Sequence, residues 1–404
     1  MAEPTIRAAR LSRRGVLFAA AGTMFTAACG SDDSNSPGPT TRNSEELIIG
    51  ASLELTGRAA AFGTLQERAM KITADRLNES GVPVGNLRRR IRLVVRDNES
   101  NPANAAKQAT EMIRRDGVHA ILGGTTPETS LSIVRVVQEE QVPFLSLASS
   151  DDVVVPLPDR TYVYKLTPDA TDVAELMAPA IRSLNVTRIA VIASAGAHGD
   201  SGVRAMQGAA AGGGLQIVGN VRLPATGDNF APAARTAIAD NPGAVVIWAA
   251  APDAGAVARA LRAAKYSGKI FFEPTAVADD TVTGDNRAAV EGAFVVHPVS
   301  LAGSSLTDTT RAELGRRDFV NRYIQAYDGF DGFAPYASDA VTLIVNAARL
   351  ARSVDHGRLR VFLETQVSEG IAGSYQFAPI KHGGMESDSL GIFTVTQGSW
   401  TKFS

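Results

Sequence analysis

Residues 120–150 read AILGGTTPETSLSIVRVVQEEQVPFLSLASS, and their pattern decides the architecture of the chain. Ala120–Leu122 is a short apolar run ending at Gly123-Gly124, which marks a strand buried on both faces of a parallel sheet. Thr125, Thr126, Pro127 and Glu128 follow. A threonine before a proline predicts a helix start: the hydroxyl can accept from free N–H groups, and proline fits the first turn. Leu131, Val134, Val137 and Gln138 continue at helical spacing, with Ile133 and Val136 widening the apolar face. Val142-Pro143 stops this helix. Phe144–Leu147 is the next strand, and it ends in Ala148-Ser149-Ser150. Two neighbouring parallel strands therefore end in small and hydroxyl residues beside a helix N-terminus. In an open α/β sheet a ligand sits off the carboxyl ends of the strands, and a helix N-terminus there attracts an anion. Alone, Thr126 reads first as a simple cap. The two strand ends together point to a carboxylate site.

Outward from this unit, strand and helix alternate. Upstream lie a strand at 47–53, a helix at 62–78, a strand at 91–97, and a helix from Asn101-Pro102 to Gly117. Downstream, a strand at 162–166 leads to Pro168-Asp169, where a second series begins. Helices at 172–184, 199–211, 230–241 and 252–265 alternate with strands at 188–193, 216–222, 244–248, 270–273 and 292–297. Helices at 311–327, 335–353 and 357–366 and strands at 373–377 and 390–396 close the chain. The expectation is an α/β protein of two Rossmann-like lobes with parallel sheets, joined by a hinge that the chain crosses more than once. Lobe I takes residues 46–167 plus 299–387; lobe II takes 168–298 plus 388–404. A ligand belongs in the cleft between them.

Composition bounds the function. With 404 residues and 45% apolar content, the chain is long enough for two ordinary domains. A formal net charge of −2 argues against nucleic acid as a partner. The dense basic cluster Arg88-Arg89-Arg90-Ile91-Arg92 reads as solvated turn charge after Gly85-Asn86. The single cysteine, Cys29, excludes an intramolecular disulfide. It follows a basic leader (Arg7, Arg10, Arg13, Arg14) and a short apolar run at 15–28, a signal-peptide pattern too short to span a bilayer. Ser12-Arg13-Arg14 resembles a twin-arginine export signal, and Thr26-Ala27-Ala28-Cys29 resembles a bacterial lipobox, with threonine where an aliphatic residue is usual. Residues 1–29 are thus expected to be a signal peptide ending at the lipidated Cys29. Residues 30–45, rich in Pro, Gly and Ser, are a flexible tether.

Several strings together resemble the type I periplasmic binding proteins, in particular the Leu/Ile/Val-binding group of ABC transporter solute receptors. Residues 49–57 (IGASLELTG) resemble their first strand and its following loop, and Ala61-Phe62-Gly63 the loop that sets an aromatic beside the ligand. Gly123-Gly124, Val142-Pro143 and Ala148–Ser150 match in order and spacing. Residues 165–169 (KLTPD) resemble the first crossover, and Tyr336-Ala337-Ser338-Asp339-Ala340 a helix of the return segment. The resemblance implies a ligand carboxylate at Thr125, Thr126, Thr129 and the backbone of Ala148, Ser149 and Ser150. It implies a cleft completed by Phe62, His198, Trp248, Ala250 and Thr275. Amino-acid receptors of the group carry an acid where this chain has Thr275, and tyrosines where it has His198 and Ala250. Glu273, Asp279 and Asp280 lie close by in sequence.

His198-Gly199-Asp200-Ser201-Gly202 contains a GDSG string, but in a strand–loop–helix setting where an adjacent His cannot be the base of a triad. It reads as a glycine loop and helix start, capped by Asp200 or Ser201. The five histidines are scattered without metal-ligand spacing, and GxGxxG and P-loop patterns are absent. No cofactor, metal or catalytic group is expected. The reading is an exported, lipid-anchored, extracytoplasmic monomer that binds a small carboxylate and presents it to an ABC permease. The competing readings are a ligand sensor acting on a signalling partner and a hydrolytic or amidase-like α/β enzyme.

Overall fold

The structure is a computed structural model, and it describes residues 45–303 and 309–403. The leader, Cys29 and nearly all of the tether lie outside the described residues. The first sheet holds six strands: β1 (Glu46–Leu53), β2 (Val82–Val84), β3 (Leu87–Asp97), β4 (Ala120–Gly123), β5 (Phe144–Ser146) and β6 (Val163–Lys165), in the order β2-β3-β1-β4-β5-β6. All pairs are parallel except β2 with β3. Helices α1 (Ala60–Asn78), α2 (Pro102–Glu111) and α3 (Pro127–Glu140) make the crossovers. The strand order reverses between β1 and β4, so the loops after these two strands diverge and leave a crevice at their carboxyl ends.

The second series is α4 (Ala170–Ser183), β7 (Arg188–Ala193), α5 (Ala197–Gly213), β8 (Gln216–Arg222), α6 (Ala231–Ile238), β9 (Ala244–Trp248), α7 (Asp253–Ala263) and β10 (Lys269–Phe272). Two short helices, α8 (Asp279–Val282) and α9 (Arg287–Val290), precede β11 (Phe294–Pro298). Then α10 (Arg311–Tyr327), α11 (Ala334–Ala351) and α12 (His356–Thr365) pack back toward α1. A hairpin of β12 (Val367–Glu369) and β13 (Ser374–Gln376) follows, and β14 (Leu390–Thr396) and β15 (Ser399–Lys402) join the second sheet, ordered β15-β14-β11-β10-β9-β7-β8. The fold is thus α/β with two parallel-rich sheets, the type I periplasmic binding arrangement. The chain passes between the sheets three times, after β6, after β11 and before β14.

Composition explains why these segments become central strands. β9 (AVVIW) is buried along its whole length, and β7 (RIAVIA) along all but its first residue. Covered by helices on both faces, such strands need continuous apolar runs rather than alternation. Around β4 the turn depends on glycine. Gly123 has φ +115°, and a Cβ there would lie 2.1 Å from the Ser52 carbonyl oxygen.

Three sequence expectations are corrected. The arginine cluster is not a turn. Residues 88–92 lie within β3, where Arg92 pairs with Glu46 at 2.8 Å and Arg89 donates to the Glu46 carbonyl oxygen at 3.0 Å. The GDSG string lies inside α5, whose N-cap is Gly196 (φ 84°); neither Asp200 nor Ser201 caps it. The chain also adds β2, β12 and β15, short strands with little apolar signal of their own.

Candidate ligand-binding cleft

A cavity of about 530 Å³ opens between the carboxyl ends of the two sheets. From the first sheet come Arg58, Ala59 and Phe62 after β1, Ser100 and Pro102 after β3, residues 125–128 after β4, and Leu147 and Ser149 after β5. From the second come Ser194, Gly196 and His198 after β7, residues 223–225 after β8, Ala250, Ala251 and Asp253 after β9, and Thr275 after β10. Phe333, at the start of α11, meets Phe62 with ring centroids 5.0 Å apart. Together with Leu147, Leu223, Pro224 and Ala250, these rings give the cavity an apolar interior suited to a flat or branched hydrocarbon body.

Seven of the eleven residues singled out from sequence line this cavity: Phe62, Thr125, Thr126, Ser149, His198, Ala250 and Thr275. Four do not. Thr129 is fully buried, and its hydroxyl donates to Glu54. Ala148 is fully buried, with its N–H on Ser146 Oγ at 3.1 Å and its carbonyl on Thr167 Oγ1 at 2.7 Å. Ser150 is 1% exposed and faces Ser201. Trp248 is packed on α5, where a Cβ at Gly202 would lie 2.2 Å from its ring. After β5 the chain alternates its faces, so Ser149 reaches the cleft while Ala148 and Ser150 turn away. Thr129 lies within α3, on the side that meets Glu54.

The loop after β4 is built differently from the expectation. Thr126 caps α3 through Thr129 N at 3.3 Å, and its hydroxyl lies 3.0 Å from Thr129 Oγ1. The backbone N–H groups of Thr125 and Thr126 donate to the Glu54 carboxylate at 2.9 and 3.4 Å. Glu54 is fully buried just after β1. The Thr125 hydroxyl donates to Gln66 Oε1 at 2.7 Å. Sequence reasoning missed Glu54. The available signal was an acid directly after the run 47–53, which carries no charge of its own.

On the opposite wall, His198 joins the two sheets. Its Nδ1 donates to the Ser149 carbonyl oxygen after β5, and its Nε2 to Glu273 Oε1 at 3.2 Å beyond β10. Burial acts to lower the imidazole pKa. The Glu273 carboxylate, the hydrogen bonds to Glu273 and Ser149 and the charge of Glu128 outweigh it, so the net shift is upward from 6.5. Glu273 is fully buried and also accepts from Thr275 N at 2.9 Å and from the Thr275 hydroxyl. Asp279 and Asp280 begin α8 and do not line the cavity. Also missed were Arg58, which ion-pairs with Asp253 across the cleft, and Ser194, whose buried Oγ has no hydrogen-bond partner. Ser201, of the GDSG string, bonds to Asp151 N at 3.3 Å rather than to His198. No group of three or more His, Cys, Asp or Glu side chains among the described residues could hold a metal ion.

The periplasmic binding protein family matches residues 46–398. The chain belongs to that family. Solved structures share the fold. An extracellular ligand-binding receptor of Rhodopseudomonas palustris HaA2 superposes with TM-score 0.81 at 20% identity, covering 89% of this chain and 100% of that one. The leucine-binding protein LivK of Thermotoga maritima gives 0.76 at 21%, covering 89% and 98%. A solute-binding protein of R. palustris BisB5 in complex with 3,4-dihydroxybenzoic acid gives 0.76 at 17%, covering 89% and 97%. Over 159 residues the chain is also 26% identical to metabotropic glutamate receptor 4 of Mus musculus, spanning 38% of this chain but only 17% of that receptor's length. The family is one of solute-binding proteins, and the cleft between the sheets is where this chain offers room for a solute.

Proposed function

We propose that this protein is the extracytoplasmic solute receptor of an ABC transporter, taking a small organic acid with an apolar or aromatic body. The lobes, 46–167 with 299–387 and 168–298 with 388–404, close over the solute and present a joint surface to a membrane permease. Arg58 receives the acid group at the cleft mouth, with Ser149, Ser194 and His198 as further polar contacts. Phe62, Phe333, Leu223 and Ala250 cover the hydrocarbon body. Cys29 carries the lipid anchor and residues 30–45 the tether. Cys29→Ser is expected to move the protein from the membrane fraction to the soluble one, and unchanged fractionation would overturn the anchor.

One observation carries the choice of a simple acid over an amino acid. The buried acid nearest the second-sheet wall, Glu273, is already engaged by His198 and Thr275. Asp253 is likewise paired with Arg58, through one guanidinium nitrogen only, which leaves the other Arg58 N–H groups for an acid group. A solute ammonium would find neither carboxylate unpaired, and a buried unpaired charge is costly. Glu128 favours a second reading, an amino acid, because it is exposed at the cavity rim. A thermal-shift panel decides, comparing leucine and phenylalanine with their deaminated partners and with benzoate. A ligand at one hundred times its Kd adds about 2.7 kcal/mol. For a folded region this large, that raises Tm by roughly 4 °C. Shifts from the acids alone support the proposal. Shifts from the amino acids alone return the protein to the amino-acid receptors.

A further inference from the structure

Glu54 is a buried acid beside the cleft that the proposed function leaves without a role. It is fully buried, and none of its hydrogen-bond partners is a cation. Its carboxylate sits instead on the N–H groups of Thr125 and Thr126 and on the Thr129 hydroxyl, at the N-terminus of α3. Backbone N–H groups and the helix dipole at such an end form a ready anion site. Buried anions persist only where such donors repay their lost hydration. The position is also fixed. Gly63 of α1 packs so closely that a Cβ there would lie 2.0 Å from the Glu54 carbonyl oxygen, which holds the backbone of Glu54 against α1. Directly beside it, Gln66 is fully buried, accepts from the Thr125 hydroxyl and leaves its Nε2 without a partner.

We propose that Glu54 is a built-in occupant of the α3 helix end and thereby a specificity determinant. It takes the donors that an acid group of the solute would otherwise take in the first-sheet wall, and it turns that group toward Arg58. This rests on the reading of the solute as an acid, but occupancy of the helix end can be tested without any solute. With Glu54 removed, the two N–H groups and the Thr129 hydroxyl face an empty, anion-shaped gap. A small free carboxylate then refills it.

The experiment compares the thermal melting of wild type and Glu54→Ala with and without acetate, with acetamide as the uncharged control. The variant is expected to melt lower and to recover with acetate but not with acetamide, rising clearly more than wild type does. An equal response of both proteins, or a variant that melts as wild type and ignores acetate, would overturn the proposal. Should Glu54→Ala not fold, hydrogen exchange in solute-free wild type and in Glu54→Gln gives the answer. The Thr125 and Thr126 amides are expected to be protected in wild type before any solute is added. At least one of them is expected to exchange roughly ten- to hundredfold faster in Glu54→Gln, where a charged acceptor is lost. Free exchange of both amides in wild type would overturn it. A failed solute panel would leave these results standing, so the two readings fail separately.

Discussion

Thr126 illustrates how a single hydroxyl settles between two roles. Its Oγ1 accepts from Thr129 N and lies against Thr129 Oγ1, so capping already engages it. Thr126→Val is expected to cost about 1 kcal/mol of stability, the ordinary worth of a cap. Solute affinity is expected to stay within about twofold, because the cap occupies the hydroxyl; a hydrogen bond from it to the charged acid group of the solute would be worth about tenfold or more. Denaturant unfolding reads the first quantity and calorimetry the second; a tenfold loss of affinity with intact stability would make Thr126 a ligand donor. At this scale the sequence shows residue types but not which face they take. The threonines after β4 and the serines after β5 are visible as a hydroxyl-rich pair of strand ends. That Glu54 bonds to the threonines is not, because a partner 71 residues away is set by the adjacency of β1 and β4. Thr275 and Glu273 were legible as neighbours, yet only the fold reveals that Glu273 turns inward to His198.

Among the elements, the crossover after β6 carries a buried ion cluster. Lys165 is fully buried at the end of β6. It is held by Asp169 at 2.8 Å, Asp151 at 3.2 Å, and the carbonyl oxygens of Thr167 and Pro168 at 2.9 and 2.8 Å. Burial acts to lower its pKa, but the two carboxylates outweigh this and the shift is upward. Asp151 also accepts from Ala170 N at 3.2 Å, so one cluster ties the crossover to the first turn of α4. Removing one partner of a buried pair costs about 3–5 kcal/mol. Both aspartates keep 27% side-chain exposure and can rehydrate. Lys165→Met is therefore expected at the lower end, about 3 kcal/mol, read as a lower urea midpoint with unchanged slope. A loss under about 1 kcal/mol would show that this cluster is not what holds the crossover. The element pattern itself was largely legible, since β7, β8, β14 and α10 run over the very residues that periodicity indicates. Where it failed, the cause was local. β2 is three residues with a proline at its centre, β15 is a four-residue edge strand, and the β3 arginines hide a strand whose outer half is solvated.

Over the whole molecule, the contacts that span the cleft differ in kind, and their magnitudes rank them. Arg58–Asp253 and Arg204–Asp152 join the two walls, but the arginine side chains are 60% and 58% exposed. Such pairs are worth about 0–1 kcal/mol and weaken with salt. The His198 bridge is buried, and it spans Ser149 on one side and Glu273 on the other. Only the imidazolium form can donate from both ring nitrogens at once. Its folded-state pKa lies above the ordinary 6.5, so its contribution is fully present below that value. That contribution fades as pH rises through the folded-state pKa, when the ring loses one of its two donated protons. The groups facing the ring point the same way. Glu273 and Glu128 favour the cation, Thr275 Oγ1 at 3.4 Å is neutral, and no other cation lines this wall among the described residues. The bridge is therefore expected to loosen on the alkaline side of neutrality. Small-angle scattering of the solute-free protein, taken between about pH 6 and 9, is expected to show a radius of gyration that grows with pH. His198→Gln keeps a donor without a titrating charge and is expected to flatten that dependence. An expansion that persists unchanged in His198→Gln would assign the pH response to groups outside the bridge.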